Sequence, residues 1–176
     1  GKNSKESRLA AANRREELDN SYRESLTRVF NAACGSSELV GAATGILIFP
    51  RLISDGFLEP GQHGQGELRI NGVVHSHYRA TTRPAGLPIG MRSRAIVFLF
   101  MTQEALNRFI AGRGWAAGVD NAVAVMAIDE AGVMNAEAAR APLIAFWMSD
   151  NDLMISASLQ GTTVSRVDPP DPGARQ

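Results

Sequence analysis

The chain has 176 residues, 44% of them hydrophobic and 20% charged, with 18 basic and 18 acidic side chains and no net charge. That profile fits one globular domain with a real core. A domain that tracks nucleic-acid phosphates is normally basic, so charge balance argues against nucleic acid as a partner and against non-specific steering to acidic membranes.

The first eight residues, "GKNSKESR", are polar and read as loose, like the start of a chain from which a targeting segment has been removed. Residues 1–18 are thus expected to be flexible or the start of a helix. Leu18, Tyr22, Leu26, Val29, Phe30 and Ala33 then follow helical steps of three and four. Gly35 ends that helix, and Ser36 or Ser37 is expected to cap a short second one, "SELVGAA". The lone cysteine, Cys34, lies between them; it has no partner for an internal disulfide and reads as a small buried residue.

Beyond residue 44 the period changes. "GILIFP" reads as a strand stopped by Pro50, and "GQHGQGELRI" as glycine-rich and then extended. Asn71-Gly72, with extended residues on both sides, predicts a hairpin. "AIVFLFM", Ala95 to Met101, is the most apolar stretch, but seven residues are far fewer than the roughly 18 a membrane helix needs. It reads as a buried strand. It leads into a helix, "QEALNRF", capped by Thr102 and stopped by Gly112. Strands are then expected at "VDNAVAVMAI", "PLIAFWM", "LMISASLQG" and "TTVSRV", with turns at "DEAG" and "SDND" and a frayed proline-rich tail over 168–176. Two early helices and one later helix frame six to eight strands without long βαβ units. The expected class is α+β: a curved, mostly antiparallel sheet or partly closed barrel with N-terminal helices and one inserted helix, spanning 19–167.

Catalytic and metal chemistry is weakly signalled. His75 and His77 would share a strand face, but only His63 and Cys34 could join them, with Glu67 and Asp55 as fillers, so no metal site and no cofactor are expected. No serine lies in a G-x-S-x-G elbow, and the acids of "SDND" and "DEAG" belong to turns. No catalytic residue is assigned. A hydrolase using His75 or His77 would need those side chains to converge in a concave site. "EPGQHGQGE" lacks the lysine and Ser/Thr of a nucleotide loop; its glycines read as a turn where two elements approach closely.

Arginines form the more informative pattern. Arg83, Arg92 and Arg94 flank a glycine- and proline-marked segment, and regular alternation would put Arg92, Arg94, Ile96 and Phe98 on one face. Guanidinium beside an apolar row suits an amphipathic lipid; the plainer reading is arginines at the wet end of a core strand. Arg69 and Arg79 make a second candidate basic surface across the hairpin. Trp147 reads as core. Trp115, set among glycines, reads as more open and as a lipid-contact candidate.

Five segments in register resemble the SYLF-domain family, in particular its exported bacterial lipoprotein branch. They are "AATGILIFP", "GFLEPGQHGQGEL", "IVFLFMTQEALNRF", "GWAAGVDNAVAV" and "APLIAFWMSDNDLMISASLQG", within Asp19–Val167. Pro88 and Arg92 stand where relatives show glutamines, and Asp152 where a glycine often sits. The resemblance implies no catalysis. It implies phospholipid or membrane-surface binding, by phosphoinositide in eukaryotic relatives, with actin binding in fungal ones. It also implies a periplasmic lipoprotein tethered to the outer membrane through an upstream cysteine that is not Cys34. The basic residues of the first helix, Arg14, Arg15, Arg23 and Arg28, are balanced by Glu16, Glu17, Asp19 and Glu24, unlike the basic helix of eukaryotic relatives. The leading expectation is a non-enzymatic lipid-binding domain of the envelope. The alternative is a structural or protein-interaction module, its protein partner unknown, with lipid only as anchor.

Overall fold

The structure is a computed structural model describing residues 2–54, 61–83, 91–116 and 123–167. The segment around Pro88, the first part of "GFLEPGQHGQGEL" and the proline-rich tail lie outside the described residues. Helices α1 (Lys2–Ala32) and α2 (Ser36–Ala42) come first. The described strands are β1 (Gly45–Phe49), β2 (Ile53–Ser54), β3 (Gln62–Ile70), β4 (Val73–Thr82), β5 (Ser93–Phe100), β6 (Gly114–Ala116), β7 (Ala124–Val125), β8 (Leu143–Ser149) and β9 (Thr162–Val167). Helix α3 (Gln103–Gly112) and a 3-10 turn at Ala138–Arg140 interrupt them.

All nine strands form one strongly curled half-barrel sheet in the order β6-β9-β4-β3-β1-β5-β8-β7, with β2 beside β3. Every pairing is antiparallel except β7 with β8. This is the expected α+β class.

Local chemistry explains most boundaries. Asn71 and Gly72 have φ of 52° and 77°, both left-handed, as the two-residue hairpin turn requires. Thr102 Oγ1 accepts the Ala105 N–H at 3.1 Å, capping α3. Three expectations are corrected. The first residues, read as loose, are helical: α1 starts at Lys2, the helical alternative for residues 1–18, because Lys, Glu, Arg, Leu and Ala are good helix formers. Neither serine caps α2: Gly35 takes that place at φ 82°, and the Ser36 hydroxyl turns back to the carbonyls of Val29 and Ala33. "LMISASLQG" forms only a bridge at Met154, because Ile155 and Leu159 turn into the inner core instead of extending along the sheet.

The glycines of "HGQGE" lie in β3 rather than in a turn, and the close approach is real. A Cβ on Gly64 would sit 2.6 Å from the Arg51 carbonyl oxygen, and one on Gly66 2.4 Å from that of Ile48. Side chains there would prevent the sheet from curling.

Strands β1, β5 and β8 are buried on both faces. The inner face carries Leu47, Phe98, Phe100 and Trp147, closed by Leu106 and Phe109 of α3. The outer face carries Ile48, Val97, Leu99 and Phe146, covered by Tyr22 and Val29 of α1 and by Met126. Phe30 points away from this contact and is 39% exposed.

An ionic cluster fastens α1 to the sheet. Arg69 Nη1 donates to Asp19 Oδ1 at 2.7 Å, and its Nη2 to Glu67 Oε2 at 3.1 Å. Its guanidinium stacks over the Tyr22 ring, 3.9 Å from the centroid. Tyr22 Oη donates to the Ile46 carbonyl at 3.4 Å. The hydrogen bond from Arg69 lowers the Asp19 pKa, opposed by partial desolvation and helped by the charge of Arg23. Burial raises that of Tyr22. Burial works against the Arg69 cation, but its bonds to Asp19 and Glu67 prevail and its pKa is raised.

Arg69→Met keeps the apolar stem and strands the Glu67 carboxylate. It should lower stability in urea denaturation by about 2 kcal/mol, less than for a fully buried pair because one partner stays accessible. The depressed Asp19 pKa contributes stability that is complete above the unfolded value near 3.8 and is lost as pH falls through the lower folded value. Stability should therefore drop below about pH 4. Asp19→Asn should flatten that slope in acid titrations followed by circular dichroism.

Candidate functional site

A groove of about 710 Å3 opens where α1 passes the rim of the sheet. Helix α1 supplies Ser21, Glu24, Ser25 and Arg28, one face of two turns. The opposite wall is the turn after β1, with Arg51, Leu52 and Ile53. The floor is the start of β5, with Arg92 just before the strand and Arg94 within it, and Asp150 stands beside Arg92. Four guanidiniums thus meet two carboxylates among the described lining residues.

The rim is held rigidly from beneath. Gln62 Nε2 donates to the Ser93 carbonyl at 2.8 Å, and the Trp147 indole N–H donates to the Ser93 hydroxyl. The Leu52 N–H donates to the Arg94 carbonyl at 2.7 Å, and the Asp150 N–H to the Arg92 carbonyl at 3.0 Å. Glu24 binds Arg28 Nη2 at 2.5 Å and lies 3.9 Å from Arg94 Nη2. Arg28 also reaches Asp152 at 3.6 Å, and Asp152 holds φ 60°, a left-handed conformation that explains why a glycine suits this position. The side chains of Arg51, Arg92 and Asp150 have no hydrogen-bond or ion-pair partner among the described residues.

The six candidate residues separate. Arg92 and Arg94 come together in the groove. Arg83 directly follows β4, its N–H donating to the Gly161 carbonyl at 3.3 Å, and is outside the described groove lining. Arg79 lies mid-strand in β4, opposite Gln65 and Ser165. Arg69 is 11% exposed and committed to Asp19 and Glu67. Trp115 is 4% exposed and packs edge-on against Phe98, centroids 5.3 Å apart. Its expected openness is overturned: the glycine beside it admits β9, since a Cβ on Gly114 would meet the Val164 carbonyl oxygen at 2.0 Å.

The expected shared face of arginines and apolar residues is also overturned. Ser93 pairs with Ser149 and Ala95 with Met148, so Arg94 is an extra residue in a β-bulge. The bulge turns Arg94 toward α1, whereas Ile96 and Phe98 enter the inner core, both fully buried. The row imagined for an acyl chain is filled by the protein's own side chains.

The remaining candidates are modest. His75 Nδ1 lies 3.0 Å from the Ser76 hydroxyl, but Ser76 is buried and donates to Tyr78. His77 Nε2 is 3.8 Å from Glu67. No three His, Cys, Asp or Glu side chains gather as a metal site among the described residues. Cys34 is exposed rather than buried, its thiol 3.7 Å from the Ala131 carbonyl.

Sequence reasoning missed Arg28, Arg51, Glu24 and Asp150 as groove residues. The Glu24–Arg28 spacing signalled an ordinary helix pair, and nothing local marked Arg51. A scan against protein-family models and a search of curated proteins give no match. No described helix is long and apolar enough to cross a membrane.

Both tryptophans are buried, Trp147 beneath the groove rim and Trp115 against Phe98. Acrylamide should quench their fluorescence weakly, and brominated phospholipid vesicles should not quench it further. Strong quenching by brominated lipid would return Trp115 to the membrane-facing surface.

Proposed function

We propose that this chain is a non-enzymatic, SYLF-like lipid-binding domain of a bacterial envelope lipoprotein, periplasmic and tethered to the outer membrane. It reads phospholipid headgroups at the groove between α1 and the sheet rim. One observation carries this reading: among the described residues, Arg28, Arg51, Arg92 and Arg94 converge on one groove against Glu24 and Asp150, and the side chains of Arg51 and Arg92 have no partner there. Guanidinium forks match phosphate oxygens in geometry and charge. Because Ile96 and Phe98 are sealed in the core, the acyl chains stay in the bilayer and the protein docks at its surface. Ile53, 37% exposed on the groove wall, supplies apolar contact there.

A second reading, a protein-interaction module of the envelope, draws on the first half of α1. Residues 3–17 are exposed except for half-buried Ala11, and a helix of that length is marginal alone in water. A partner lying along it would stabilise it.

Vesicle flotation tests the lipid reading. Vesicles carrying anionic or ethanolamine phospholipid should carry the chain to the top of the gradient. Arg51→Ala with Arg92→Ala should weaken binding at least ten-fold, while Arg79→Ala has little effect. Absence of binding to any vesicle sinks the reading, and full binding by the double variant moves the site elsewhere.

A further inference from the structure

We propose that the groove selects a zwitterionic phosphoamine headgroup, a phosphate ester bearing a primary ammonium, over a purely anionic phosphate ester. This rests on the headgroup reading above and specifies its ligand. The charges in the groove divide into two sets. Glu24 is committed to Arg28 and Arg94, and Arg28 also leans on Asp152. Among the described residues, two cations, Arg51 and Arg92, and one anion, Asp150, remain uncommitted.

The backbone fixes that anion next to one of the cations. The Asp150 N–H donates to the Arg92 carbonyl at 3.0 Å, yet the two side chains form no ion pair. Asp150 is held in a tight turn, where the Asp152 N–H donates to the Ser149 carbonyl at 3.1 Å and the Ser149 hydroxyl accepts the Leu153 N–H at 3.1 Å. The groove therefore presents positive and negative groups side by side, both open to a ligand.

A phosphate ester without an amine satisfies the guanidiniums but brings its charge against the Asp150 carboxylate. A phosphoamine satisfies both, with phosphate on Arg51 and Arg92 and ammonium on Asp150. The ammonium should be primary. It must donate hydrogen bonds to a carboxylate, and the described lining contains no aromatic ring to receive a quaternary ammonium. The groove is open to water, so the preference is modest, about three- to five-fold, as for an exposed ion pair.

The test titrates the isotopically labelled full chain by NMR with O-phosphoethanolamine, phosphocholine, glycerol 3-phosphate and inorganic phosphate at one pH and ionic strength. O-Phosphoethanolamine should bind about three- to five-fold tighter than the other two esters. Asp150→Asn should abolish that preference without weakening glycerol 3-phosphate. Equal affinities for the three esters, or a preference that survives Asp150→Asn, overturns the inference and leaves the headgroup reading standing. Absence of binding by every phosphate compound overturns both. A parallel flotation on phosphatidylcholine vesicles with and without phosphatidylethanolamine identifies the source. Enhanced binding marks the lipid headgroup, and preference seen only with soluble esters marks a free phosphoamine; both support the chemistry.

Discussion

Three adjacent central strands, β1, β5 and β8, are apolar on both faces, and the rest of the fold answers to that constraint. A sheet of this kind must be covered twice. On the inner side it covers itself by curling, with α3 closing the concavity. Curling brings backbones together at Gly64, Gly66 and Gly114, where no side chain fits. On the outer side the cover must come from another element, and the second half of α1 supplies it.

Helix α1 is a weak cover by its apolar content alone, since Tyr22 and Val29 are its only buried apolar side chains among the described residues, the rest of its apolar residues being at most partly buried. Arg69 completes the attachment. Its bonds to Asp19 and Glu67 and its stacking on Tyr22 fix the helix across the strands. The groove is a consequence of that placement. Where α1 runs past the apolar strands to the sheet rim, polar residues of helix and rim face one another, and Arg28, Arg51, Arg92 and Arg94 meet. Packing thus leads directly to the surface proposed for function.

Much of this was legible in the sequence. Pro50, Asn71-Gly72 and Thr102 each act through local backbone chemistry, and the structure places a strand end, a turn and a helix cap there. Period alone separated the helical first quarter from the strands. The site was less legible because it depends on two features that periodicity does not carry. One is the bulge at Arg94, a single extra residue that reverses which face the arginine joins. A second bulge, at His75, shifts the register just before the hairpin tip, where Val73 and Val74 are both exposed. The other is tertiary pairing. Arg69 resembles any hairpin arginine until Asp19 is brought beside it from 50 residues away. Trp115 reads as open from its glycine neighbours, yet Gly114 lets β9 pair closely beside it and the ring is buried.

The most direct test of the account is amide hydrogen exchange with and without phospholipid vesicles. Bound vesicles should protect Ser21–Arg28, Arg51–Ser54, Arg92–Arg94 and Asp150 together, because they form one groove. The strongest rival surface is the hairpin tip, where Val73 is 68% exposed at the other end of the sheet. Protection confined to that tip, or to the first half of α1, would contradict the account.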